Sequence, residues 1–213
     1  MERVNIYGFP HKGIRNGLSQ LLVLAGKTDY TSVNAVNQLN ELSLEIIKIL
    51  TLHSHSEDSV VLPAIEAKVP ESVQENMEEH EALEKEVEDI AKQIKIIQSN
   101  PNQTAGVVYF NTINGFISRY LLHMEMEEKE INAIIWKAFS DEEIMAWHGQ
   151  VMSTLTPDQI MLWFKYIVPA LNPMEQSILL GEFKSSAPNE FYQCVMNMLK
   201  GHLSKKDYDS LAA

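Results

Sequence analysis

The chain has almost no cysteine: Cys194 is alone among 213 residues. That excludes an internal disulfide and a cysteine-ligated metal or redox site. Basic residues are also few, 17 Lys and Arg against 29 Asp and Glu, for a net charge of −12. A nucleic-acid partner, whose phosphates call for a basic face, is not expected. No apolar run approaches the ~18 residues of a membrane span, so no membrane partner is expected either. The opening Met-Glu-Arg-Val-Asn lacks the basic-then-apolar pattern of a signal peptide, and the expected location is cytoplasmic. Strand-like alternation is missing as well, whereas apolar residues recur with a period near 3.6.

That periodicity predicts an all-α chain. Helices are expected at about 11–27, 33–66, 71–98 and 104–139, with Pro10 in the first turn of the first. Pro63 should kink the second helix or end its regular part. Pro70 and Asn100-Pro101-Asn102 mark the following breaks. Beyond residue 139, Thr156-Pro157, Asn172-Pro173, Ala187-Pro188 and Ser204 each read as a further helix start. Trp147, Met161, Trp163 and Phe164 give that segment area to bury.

Histidine and glutamate are present in a near-repeat. His11 precedes His53 by 42 residues and His80 precedes His123 by 43. His53 and His123 each have a glutamate four residues on, Glu57 and Glu127. Residues at i and i+4 share a helix face, so each pair aims an imidazole and a carboxylate at one point. The core stripes are read as His11, Ile14 and Leu18; Leu50, His53 and Glu57; Met77, His80, Glu84 and Val87; and Tyr120, His123, Glu127, Ile131 and Ile134. Glutamate is almost never fully buried unless paired, and a bound cation offsets that cost. Imidazole with carboxylate suits iron, with zinc or manganese as competitors. Six ligands from four helices exceed the four of an ordinary zinc site and point to two metals. His55, about 200° from His53 around the helix, is expected outside the site. Asp58, Glu125 and Glu130 read as a solvated face. Glu128 is either an alternative ligand or an acceptor behind one.

Antiparallel neighbours with their ligands at one height should turn midway between those ligands. The three midpoints fall within Asp29–Asn34, just before Val69-Pro70, and within Asn100–Asn102. The expected architecture is therefore an up-down-up-down four-helix bundle with an additional C-terminal helical appendage. Its bounds are read as 1–139 for the bundle and 140–213 for an extension that packs on it or on a partner subunit, in a homodimer or with another protein.

These residues resemble the hemerythrin-like (HHE cation-binding) family over about 8–139. The resemblance rests on His11 with Arg15, His53-xxx-Glu57-Asp58 before Leu62-Pro63, Glu79-His80, and His123-xxx-Glu127-Glu128. It implies a non-heme di-iron centre with His11, His53, His80 and His123 as terminal ligands. Glu57 and Glu127 would bridge the irons alongside an oxo or hydroxo group. The chain departs from the oxygen-carrying hemerythrins at Glu84, where they have a further histidine, and is more similar to bacterial HHE proteins. Tyr120 and Glu84 are candidates for hydrogen bonding behind the ligands, and Leu50, Met77, Val87, Phe116 and Met124 for excluding water. The resemblance implies binding of dioxygen or a related small oxidant for sensing, handling or buffering. A di-iron oxidase, peroxidase or nitric-oxide-handling enzyme and an iron-responsive binding module are the alternatives.

Overall fold

The computed structural model describes residues 3–212; the outer bounds expected at 1 and 213 lie outside the described residues. Helices α1 (Gly8–Lys27), α2 (Val33–Ser56), α3 (Leu62–Lys68), α4 (Gln74–Ser99), α5 (Gln103–Met126) and α6 (Asn132–Ala138) come first. They are followed by α7 (Asp141–Thr154), α8 (Pro157–Ile167), α9 (Pro173–Ser186), α10 (Asn189–Leu199) and α11 (Lys205–Ala212). No strand occurs among the described residues, and none of the helices is long and apolar enough to cross a membrane. The fold is all-α.

Two single π-helical turns, Glu57–Val61 and Glu127–Ile131, join α2 to α3 and α5 to α6 without a break. Each begins at the glutamate of an HxxxE pair. The Leu62 and Asn132 amides donate back to the Glu57 and Glu127 carbonyls, five residues away. Such turns insert one residue into a helix and re-aim the side chains around them. Pro63 follows the first of them as the second residue of α3 and, having no amide N–H, donates nothing back into the π turn. The end of regular helix read from Pro63 thus falls at a π turn before it, and the same turn recurs at Glu127, where no proline is present. Past the second turn Ile135, rather than Ile134, is the fully buried residue.

The turns fall in the expected places. Ser32 caps α2 by accepting from the Ala35 amide, and Asn102 caps α5 by accepting from Ala105. Around the bundle α1 packs against α2 and α5, and α4 packs against α2 and α5. Two apolar clusters fill it. One, built from residues such as Leu18, Leu39, Ile46, Ile94 and Ile113, runs along most of its length. The other, with Tyr7, Leu62, Ile65, Ile131 and Ile135, lies at the end where α3 and α6 continue the long helices, and Phe139 and Ile144 of the next segment join it. The polar residues of the near-repeat form a layer between the two.

The remaining helices gather a third cluster, with Phe164, Phe183, Tyr192 and Leu199. Helix α8 faces two ways. Phe164 enters that cluster while Tyr166 belongs to the core of the bundle. The approach of α8 to α1 is close because Gly13 and Gly17 have no side chains. A Cβ on Gly13 would come 2.6 Å from Ile167 Cγ1 and 3.1 Å from its Cα. The Asn16 amide donates to the Tyr166 carbonyl at 2.9 Å, and the Tyr166 hydroxyl donates to Glu45 at 2.6 Å.

Candidate metal centre

Helix α1 supplies His11, α2 and its π turn His53 and Glu57, α4 His80, and α5 and its π turn His123 and Glu127. All six side chains are buried and converge. The imidazoles meet in two pairs. His11 Nε2 lies 3.1 Å from His53 Nε2, and His80 Nε2 lies 3.1 Å from His123 Nε2. Each carboxylate straddles both pairs. Glu57 sets Oε1 3.6 Å from His53 Nε2 and Oε2 3.3 Å from His80 Nε2. Glu127 sets Oε2 3.4 Å from His11 Nε2 and Oε1 3.1 Å from His123 Nε2. Ligand-capable atoms of His11, His53, Glu57 and Glu127 lie within 4.8 Å of one another, as do those of His80, His123 and Glu127.

The donor set fits cations. Glu57 Oε2 and Glu127 Oε2 are buried, and neither is aligned in a hydrogen bond despite its nearby imidazole. The Nε2 atoms of the four imidazoles and the oxygens of the two carboxylates crowd one buried space. An unpaired buried carboxylate costs several kcal/mol, and a divalent ion between the donors offsets it. The electrostatics record the same crowding. Burial, and then the neighbouring Glu127, push the Glu57 carboxyl up to about 7. Burial would also raise Glu127, but His11, His123 and His80 around it outweigh that and hold it well below the usual carboxylate range. Burial and the adjacent His11 hold His53 well below the ordinary imidazole range.

A second set of groups orients the imidazoles from behind. His80 Nδ1 donates to Asp58 at 2.7 Å, His123 Nδ1 to Glu79 at 2.9 Å, and His11 Nδ1 to Glu128 at 2.8 Å. A proton fixed on Nδ1 leaves the Nε2 lone pair facing inward, as metal ligation needs. Arg15 clamps Glu128 with two hydrogen bonds, at 2.6 and 3.1 Å. Asn76 donates to Glu127 Oε1 at 3.1 Å. His53 is held differently: the Trp163 indole of α8 meets its ring edge-on, 6.4 Å between centroids.

Several sequence expectations change here. Asp58 is not merely a solvated group, since it accepts from His80. Glu128 stands behind His11 rather than replacing Glu127. Glu84 and Met77 do not face the core; both are exposed, and Asn76 and Leu83 take the inward positions on α4. Glu84 accepts from the Ser54 hydroxyl at 3.2 Å instead. His55 is exposed, as its helical phase requires, and Glu125 pairs with Lys129 on the surface. Tyr120 lies against His123 at 5.7 Å between ring centroids. Asn76, Tyr7 and Trp163 were not legible as neighbours of the site. Asp58, Glu79 and Glu128 had one usable signal, since each adjoins a candidate ligand in sequence.

Comparison with known proteins agrees with this geometry. The zinc finger protein BRUTUS-like of Arabidopsis thaliana is 25% identical over 199 residues, covering 90% of this chain and 16% of that protein. The chain therefore spans about a sixth of the length of that curated relative. No solved structure matches it. The model of the hemerythrin HHE cation binding domain matches residues 5–135, which hold all six converging side chains. The chain belongs to the hemerythrin family of HHE cation-binding domains.

Proposed function

We propose that the chain holds a non-heme di-iron centre and binds dioxygen or a related small oxidant there. One observation carries this reading: Glu57 and Glu127 each point one oxygen toward the His11–His53 pair and the other toward the His80–His123 pair. Two metals, each held by two imidazoles and sharing two carboxylates, account for that division. Imidazole and carboxylate without thiolate suit iron. His11, His53, His80, His123, Glu57 and Glu127 would hold the irons, which when bound and ferrous would supply electrons to the oxidant. The chain's own residues fix the imidazole orientations through Asp58, Glu79 and Glu128, and Ile131, Leu50 and Met124 keep the surroundings dry. The lone exposed Cys194 suits a reducing, cytoplasmic setting.

The test is anaerobic purification with metal analysis, then optical spectra before and after oxygen. Two irons per chain and a reversible visible band are expected. Two irons that oxidise without a stable adduct would favour the oxidase or nitric-oxide-handling reading. One zinc, or no metal, would overturn the proposal. An iron-responsive module is the second reading, favoured by Trp163 of α8 resting on His53. Its mark would be a large loss of protease resistance around α8 when iron is removed.

A further inference from the structure

The two ends of the site differ in what separates them from solvent. On the His11–His53 side packed side chains cover the layer, with His11 0% and His53 6% exposed. Tyr7 is 1% exposed and its ring lies 5.0 Å from that of His11. Its segment is strapped down by Arg3, which donates to Asp141 and to the Phe139 carbonyl, each at 2.6 Å. Trp163 covers His53, and α8 is pressed onto α1 with no room at Gly13. On the His80–His123 side a cavity of about 280 Å³ opens between α2, α4 and α5. His80 and Tyr120, each 4% exposed, form its inner end. Leu50, Leu83 and Val87 line it. Glu84 and Glu88 are exposed and stand at its outer end. Glu84 accepts from Ser54, which also lines the cavity, so its carboxylate is held at the mouth and not against His80.

The geometry points to a route: small neutral oxidants such as dioxygen or nitric oxide reach the centre on its His80–His123 side, through this cavity. The inference rests on the di-iron reading and adds to it which half of the centre meets the oxidant. Leu50, Leu83 and Val87 make part of the wall apolar, and such a stretch admits a neutral diatomic or xenon without loss of hydration, although Thr51 and Ser54 also line the cavity. The Glu84 and Glu88 carboxylates, on a chain of net charge −12, oppose anions at the entrance. The selected class is therefore neutral diatomics over anions of similar size.

The experiment fills the cavity. Val87→Trp occupies its wall; Thr51→Trp occupies its exposed margin and leaves the core alone. Nitric oxide association with the diferrous protein, followed by stopped flow, should slow by about tenfold or more in both at unchanged iron content. In crystals of the chain as purified, pressurised with xenon, density should appear between Leu83 and Tyr120 and vanish in Val87→Trp. The double change Glu84→Gln, Glu88→Gln should speed azide association and leave that of nitric oxide unchanged. An unaltered nitric oxide rate in a folded, iron-loaded Thr51→Trp protein would overturn the route, as would xenon beside Tyr7 instead. If the protein holds no iron, the di-iron reading fails by metal analysis alone, whereas the xenon result still decides whether the cavity takes a neutral guest.

Discussion

Asp58 of the first π turn accepts a hydrogen bond from the Nδ1 of His80 on α4, at 2.7 Å. The same step recurs around the bundle. Glu79, beside His80, serves His123 on α5, and Glu128, beside Glu127, serves His11 on α1. Each acceptor adjoins a candidate ligand on its own helix and reaches the imidazole of the following one. The circuit stops at His53, because the neighbours of His11 are Pro10 and Lys12. Lys12 pairs instead with Glu175 of α9, and Trp163 lies against the His53 ring.

Removing an acceptor while keeping its shape should loosen the metal without unfolding the chain. Asp58→Asn, Glu79→Gln and Glu128→Gln are each expected to weaken metal retention by about 10–100-fold. Chelator competition on the loaded protein measures this. Unchanged affinity in all three would mean that the hydrogen bonds do not orient the imidazoles.

His53→Ala and His123→Ala should lower bound iron sharply, and His55→Ala should not, although it lies only two residues from His53. Iron content after identical loading decides between them. Equal content in all three variants would remove these histidines from the site.

Trp163→Ala should speed metal loss, because no acceptor behind the His53 Nδ1 is found among the described residues and the indole edge is what lies against that ring. Trp163→Phe, which keeps an aromatic edge, should restore most of the retention. The rate of iron transfer to a chelator is the readout.

Metal uptake should release protons. In the metal-free protein burial works against a charged His11, but Glu127 and Glu128 outweigh it and raise that imidazole to about 8; Asp58, Glu127 and Glu57 likewise carry His80 up to about 12 against burial. Both must give up a proton from Nε2 to ligate, so below those values apparent affinity rises by about tenfold per unit increase in pH for each proton displaced. Calorimetry in buffers of different ionisation enthalpy counts the protons. Glu128 adds an acid limit of the opposite kind. His11 and then Arg15, against a smaller effect of burial, lower its carboxyl to about 2. Its contribution to stability is full above the ordinary value near 4.5 and is lost as pH falls from there toward 2.

Gly13→Ala should destabilise, although alanine favours a helix interior by about 1 kcal/mol over glycine. The added Cβ would meet the Ile167 side chain at 2.6 Å and its backbone at 3.1 Å, and overpacking of this kind costs about 1–3 kcal/mol. Denaturant unfolding gives the sign; a stabilised variant would mean that α8 yields easily.

What the sequence by itself determined was set by local geometry. The spacing of His53 to Glu57 and of His123 to Glu127 fixes each pair on one helix face, and the same periodicity puts His55 outside. Equal separations and the breakers near Ser32, Pro70 and Asn102 fix where the helices turn, which is enough to bring four imidazoles and two carboxylates to one height. Tertiary structure decided whatever depends on the rotation and approach of separate helices. Glu84 has the same i+4 relation to His80 as Glu57 has to His53, yet it faces solvent, because rotation of α4 puts Asn76 and Leu83 inward. The pairing of Asp58, Glu79 and Glu128 with histidines on other helices has no sequence period. Nor does the placing of Trp163 on His53, about a hundred residues away, which depends on two glycines letting one helix lie close upon another.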